Sequence, residues 1–374
     1  MHRHIIPSAL VLLLTALVCD VSAQHGHTGF CGDCHTMHNS QDGQPMRFDS
    51  AAQPLPQLLR GDCVSCHMGL NSSTNLAATT SKIGRRSVVR GMQASSPGPR
   101  VMSESPPTYI WGDSAGRSGG TLAGGNFYWV AINDAFGHNV TTIPGVPPDG
   151  RLGNTPPGGP PLSSSLRCAG TNGCHGNTMI EDQLLSLEKA HHSNVQGTVD
   201  GVTVGGSYRF LLGVKGVEDP DWEWTVSDQD HNHYAGEVRT VETNLPSQAT
   251  MSGFCARCHG DFHNASSGKT SAGEGGPSGF ASPWIRHPND YDMSAREEYS
   301  AYAGYDVRAP VARASAVMTT GSDGAAGANQ RIIMCLTCHR AHGSPNNAML
   351  RWNYRGWPGP GGQDGCQLCH TTKF

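Results

Sequence analysis

The stretch that decides how this chain folds is Gly29-Phe-Cys-Gly-Asp-Cys-His-Thr-Met-His-Asn-Ser40. Cys31, Cys34 and His35 form a Cys-x-x-Cys-His motif, the pattern by which c-type haem is attached. Two thiols at that separation each reach one porphyrin vinyl group, and the next residue turns its imidazole onto the iron from the same face. His38 is left over.

The motif recurs as Cys63-Val-Ser-Cys66-His67, Cys255-Ala-Arg-Cys258-His259, Cys335-Leu-Thr-Cys338-His339 and Cys366-Gln-Leu-Cys369-His370. A sixth pair, Cys168-Ala-Gly-Thr-Asn-Gly-Cys174-His175, has five residues between its cysteines. Its loop must bulge for both sulfurs to meet one porphyrin, which Gly170 and Gly173 make sterically cheap. The alternative there is a local disulfide beside an unrelated histidine. Of 13 cysteines, all but Cys19 fall into such pairs, and a histidine follows every one. Zinc sites and disulfides do not require that histidine. The pattern predicts six covalent c-type haems, with His35, His67, His175, His259, His339 and His370 as proximal iron ligands.

Composition agrees that side chains alone do not make the core. Gly 48 and Pro 24 accompany only 37% hydrophobic residues, and long apolar periodic segments are absent. Such a chain is either disordered or packed around something else, and six porphyrins would supply that core. The predicted fold is mostly irregular coil with short helices and few short strands, its core a stacked haem chain.

Residues 1–23 read as a secretory signal peptide: a short basic start at Arg3, an apolar run from Ala9 to Val18, and Val21-Ser-Ala23 as a small-residue cleavage site. Cys19 leaves with it. No later stretch is apolar enough to cross a bilayer. The formal charge of −4 and the lack of a basic tract argue against nucleic acid.

The sixth iron position separates carrier from catalyst. Beyond the proximal six, the expected mature chain holds His25, His27, His38, His138, His191, His192, His231, His233, His263, His287 and His342, more than six irons need. Bis-histidine ligation throughout is therefore expected. His38, His263 and His342 follow a proximal histidine by three or four residues, so each shares its neighbour's helical turn and serves a second haem alongside. His138, His287 and His192 complete the expected distal set, with His191, His231 and His233 as alternates. His25 and His27 read as bystanders near the amino terminus.

Residues 94–125 and 141–165 are rich in Gly, Pro and Ser, yet haem sites flank them, so they read as wrapping rather than linkers. Residues 180–190 are the best helix candidate, and short strands are expected at 126–132 and 207–214. A single unit, 24–374, is expected, because a hinge would break a path between haems.

CGDCHTMHNS, MSGFCARCHGDFHNAS, WIRHP and CLTCHRAHGSPNNAMLRWNY, followed by CQLCH, resemble the OmcS-like filament-forming cytochromes, secreted hexahaem proteins of metal-reducing bacteria. The resemblance covers 28–48, 126–142, 251–289 and 331–372. It implies a conductive head-to-tail homopolymer in which the counterpart of His38 ligates a haem of the adjacent subunit. It departs at Cys168–His175, where the family has a standard motif with another histidine three residues on.

The expected function is extracellular electron transfer by hopping along the haems, with no enzymatic step. The protein is exported through the periplasm to the cell surface, and its partners are copies of itself, other redox proteins or extracellular electron acceptors. The alternatives are a monomeric shuttle and an oxidoreductase with one catalytic haem at the odd third site.

Overall fold

The computed structural model describes residues 35–67, 124–189, 197–219, 228, 231–239, 245–263, 289–295, 299, 302, 305–314, 330–353 and 365–370. The signal segment, Cys31, Cys34, His191, His192 and His287 lie outside these residues, as does the Cys66 side chain.

Regular structure is sparse, as the composition requires. Among the described residues, six short helices are α1 (Cys63–Cys66), α2 (Tyr128–Ile132), α3 (Gln183–Ser186), α4 (Met251–His259), α5 (Cys335–Cys338) and α6 (Cys366–Cys369). Four contain a cysteine pair. Each is too short to persist by propensity, and on α1, α3 and α4 a side chain holds the first turn. Asp62 accepts from Ser65 N–H at 2.9 Å on α1, Asp182 from the N–H groups of Leu184 and Leu185 on α3, and Thr250 from Gly253 N–H at 3.0 Å on α4.

Among the described residues there are also ten strands of two or three residues. β1 (Ser40–Gln41) and β2 (Gln44–Pro45) make a hairpin, and β3 (Arg167–Ala169) pairs in parallel with β4 (Gly173–His175). The remaining six are β5 (Gly197–Val199), β6 (Gly216–Glu218), β7 (His233–Ala235), β8 (Tyr291–Asp292), β9 (Ala312–Arg313) and β10 (Ile332–Ile333). They form one sheet in the order β5-β6-β7-β9-β10-β8, antiparallel except for β7 with β9.

Three small apolar clusters replace a single core. Val199, Tyr208, Leu211, Val214, Tyr234, Met251 and Ile332 pack on the sheet and take in Cys174 and Cys255. Met293, Tyr302, Tyr305, Val311 and Ile333 pack with Leu368 and Cys369. Phe127, Val130, Val140, Ile143 and Val146 pack with Cys168. Every cluster abuts attachment cysteines.

Three local expectations are corrected. Segment 126–132 is helical over Tyr128–Ile132, because the Asn126 side chain accepts from Tyr128 N–H at 2.8 Å and turns the chain into a helix. Segment 207–214 is a tight reversal at Tyr208–Phe210, and the neighbouring strand begins at Gly216. The helix expected over 180–190 is one turn, Gln183–Ser186, ending before Lys189 in the left-handed region.

Candidate haem-attachment and ligand sites

Cys63, Cys168, Cys174, Cys255, Cys258, Cys335, Cys338, Cys366 and Cys369 are free thiols, none of them in a disulfide. The expanded third motif therefore does not close on itself. Its cysteines sit on β3 and β4, with Gly170 at φ 81 between them and Gly173 N–H donating to Gly170 C=O at 2.9 Å. Gln183 braces this bulge from α3, its side-chain oxygen accepting from Cys168 N–H at 3.0 Å and Ala169 N–H at 3.3 Å.

Cysteines of successive motifs meet. The Cys63 thiol hydrogen-bonds to the Cys168 sulfur, which drives the first thiol pKa up and the second down. Cys255 bonds in the same way to Cys335. Cys174 lies in the field of Cys258, and Cys338 in the field of Cys369 and Cys366. Sites two to six thus lie side by side in chain order.

Five histidines hold Nδ1 against a backbone carbonyl. The acceptors are Gln57 for His35 at 2.9 Å, Ala341 for His138 at 2.6 Å, Arg209 for His175 at 2.9 Å, Pro157 for His259 at 2.7 Å and Ala348 for His339 at 2.8 Å. With Nδ1 donating, the lone pair is left on Nε2, the state in which imidazole binds a metal. Desolvation favours the neutral ring as well. It lowers the pKa of His138 and His175, and takes His259 to about 4 and His342 to about 3.

Pairing follows from ring positions. His138 and His259 have centroids 6.1 Å apart, and His175 and His342 lie 6.3 Å apart. Imidazoles bound through Nε2 to opposite sides of one metal, at about 2.0 Å per bond, place their centroids about 6 Å apart. Both pairs stand at that separation. Among the described residues no three or more His, Cys, Asp or Glu side chains converge as a metal-ion site. The histidines meet in twos, which is what an iron with four porphyrin nitrogens requires, so the residues present fit haem.

The two distal candidates are brought together by glycine. His138 N–H donates to the His342 carbonyl at 3.2 Å, and Gly137 and Gly125 both bridge to Gly343. A Cβ on Gly137 would lie 2.3 Å from the His342 carbonyl oxygen, so the chains approach this closely only without side chains. Phe127 stacks on His342 at 4.8 Å.

His263 is held differently. Its ring is buried on Asp290, with Nδ1 3.7 Å from a carboxylate oxygen, while Arg239 lies 3.6 Å from that oxygen and donates to the His263 carbonyl at 3.1 Å. Burial lowers the His263 pKa, but Asp290 and Cys335 outweigh it and carry it up to about 9. Its Nε2 lies 3.9 Å from Cys335 Sγ. His231 and His233 stack at 4.6 Å, and His231 lies on Tyr305 at 3.4 Å, in the cluster that takes in Cys369. His38 is exposed beside Met37.

Sequence reasoning missed the carbonyl acceptors, the Asp290 and Arg239 pair, and Gln183. Leu59-Arg60 and Leu350-Arg351, each beginning two residues after a residue whose carbonyl accepts from a histidine, were the one visible signal.

Residues 328–374 match the doubled CXXCH motif family. The chain is 24% identical to the C-type cytochrome OmcS of Geobacter sulfurreducens, over 92% of this chain and 83% of that protein. Two solved structures align over 88% of this chain and 85% of theirs. One is the outer membrane cytochrome S filament from that organism, at 20% identity and TM-score 0.42, and the other its OmcS nanowires, at 21% and 0.45. The carboxyl-terminal segment thus carries the doubled CXXCH motif, and nearly the whole chain is similar in sequence to a C-type cytochrome.

Proposed function

We propose that this chain is a secreted electron-transfer protein that carries six c-type haems in chain order and assembles head to tail into an extracellular filament. Bound at these sites, a haem supplies a reversible one-electron iron centre. The observation that carries the reading is the pair of histidine couples, at 6.1 and 6.3 Å, standing at the separation of two ligands on one metal.

The residues then take these roles. Cys31/Cys34, Cys63/Cys66, Cys168/Cys174, Cys255/Cys258, Cys335/Cys338 and Cys366/Cys369 anchor the six groups, and the histidine after each pair is the proximal ligand. His342 faces His175 across the third site, and His138 faces His259 across the fourth. His263, beside Cys335, serves the fifth, while His231 or His233 lies on the side of the sixth. A ligand four residues from one attachment site thereby serves another, which ties neighbouring sites to one rigid backbone. An iron held between two histidines would have no position left for substrate, which is why the proposed chemistry is transfer and not catalysis.

His38 stands apart from these couples on the surface, as a ligand donated to an adjacent subunit would. Similarity to OmcS supports the polymer, and no helix among the described residues is long and apolar enough to cross a membrane. Electron microscopy of secreted material tests it. Filaments from the native chain and none from His38→Ala are expected. Monomers from the native chain would favour a shuttle and remove the polymer.

A further inference from the structure

Three segments that contain no cysteine fold alike. At Pro56-Gln57-Leu58-Leu59, Tyr208-Arg209-Phe210-Leu211 and Asn347-Ala348-Met349-Leu350, both central residues lie in the left-handed region, with φ of 52 and 54, 47 and 59, and 54 and 60. The fourth N–H donates to the first carbonyl at 3.2, 2.8 and 3.3 Å respectively. This is the form of a type I′ turn, normally built from Asn-Gly or Gly-Gly. None of the six central residues is Gly or Asn, so every one carries a side chain against the steric preference of its backbone.

Each turn docks on a histidine in one register. The carbonyl of Gln57, Arg209 or Ala348 accepts from Nδ1 of His35, His175 or His339. The next carbonyl, of Leu58, Phe210 or Met349, accepts at 2.8 Å from the backbone N–H that follows the histidine, in Thr36, Gly176 or Arg340. The leucine after it bridges to the same segment: Leu59 to His35, Leu211 to Gly176 and Leu350 to His339. The separations from histidine to turn are 22, 34 and 9 residues. Three unequal loops converge on one strained geometry, which persists only where the surroundings over-determine it.

We propose that these left-handed turns are a repeated positioning device that fixes the ring plane and raises the basicity of His35, His175 and His339 as iron ligands. The device lowers the potential of the three haems below what they would have without it. The proposal rests on the reading of these histidines as haem ligands. A carbonyl on Nδ1–H sends more electron density to the metal through Nε2, which favours the ferric state. Strain serves this end, because the same turn offers two carbonyls to two donors and leaves the ring no second orientation.

Full-length holoprotein tests it with two substitutions at one residue. Pro fixes φ near about −65° and forbids the turn, whereas Gly accepts it freely. Ala348→Pro is expected to raise the midpoint potential of one haem and to shift that haem's EPR g values. Ala348→Gly is expected to leave both unchanged and to raise the melting temperature. A proline variant that melts earlier but keeps native potentials and g values would overturn the proposal and leave the haem reading intact. Should that variant not yield holoprotein, the native protein decides, by ENDOR of exchangeable axial-imidazole protons in D2O. Protons slow to exchange at these three histidines are expected, and exchange at solvent rates overturns the device. High-spin iron throughout the native protein would instead defeat the underlying ligand assignment.

Discussion

The third and fifth sites hold their cysteines in opposite ways and their histidines in the same way. Cys335 and Cys338 lie one turn apart on α5, as two residues between them allow, while Cys168 and Cys174 lie on adjacent strands joined by a bulge. Yet His175 and His339 each donate Nδ1–H to the second carbonyl of a left-handed turn, at 2.9 and 2.8 Å. On the proposed reading, attachment tolerates a change of local structure, because thioether bonds need only two sulfurs within reach of one edge. Ligation tolerates less, because it depends on the plane and proton state of one ring.

The strongest way to break the comparison is to remove His342, the distal ligand proposed for the third haem alone. His342→Ala is expected to convert the third haem to high spin and leave the fifth low spin, although residue 342 is three positions from His339. Magnetic circular dichroism of the purified variant reads this, and loss at the fifth haem would reverse the pairing. Gly137→Ala comes next, since its Cβ would meet the His342 carbonyl at 2.3 Å. Overpacking of this kind costs about 1–3 kcal/mol, and disturbance of both the third and fourth haems is expected in the same spectrum.

Gln183→Ala separates the two sites. It leaves two backbone N–H groups of the bulge without their acceptor, a loss of about 1–3 kcal/mol. Lower haem occupancy at the third site alone, measured by peptide mass spectrometry, is the expected outcome. Equal loss at the fifth site would deny the brace.

The smallest effect concerns Glu218, which accepts from Arg209 N–H and so steadies the third site's turn. Burial pushes its pKa up, against the opposing pull of Arg209. An acid with a raised folded-state pKa binds more protons folded than unfolded, so its contribution to stability declines as pH climbs from the ordinary carboxylate value through the raised one. Glu218→Gln should therefore melt slightly higher than the native protein at neutral pH and match it at low pH. A gain confined to low pH would reverse the sign.

The cysteine motifs were legible because Cys-x-x-Cys-His is a local pattern that lies within five residues. The sparse, coil-rich architecture was legible from Gly and Pro content for a similar reason. What joined the sites was not. His342 and His175 are far apart in the chain, and nothing near either names the other. The turns at Gln57, Arg209 and Ala348 escaped notice because turn chemistry is normally read from Gly and Asn, and these positions adopt the left-handed backbone without them. The segment 126–132 looked like a strand from its aromatic and β-branched residues, but the Asn126 side chain decided for a helix. The odd spacing of the third motif did flag a structural difference: its cysteines lie on paired strands, whereas those of the second, fourth, fifth and sixth motifs lie on short helices.

Haem stoichiometry and spin state, measured together on the purified mature protein, test the central claim most directly. Six covalent haems per chain are predicted, every iron low spin with two histidine ligands, the third included. Five haems, or a high-spin iron bound at Cys168 and Cys174, would contradict it.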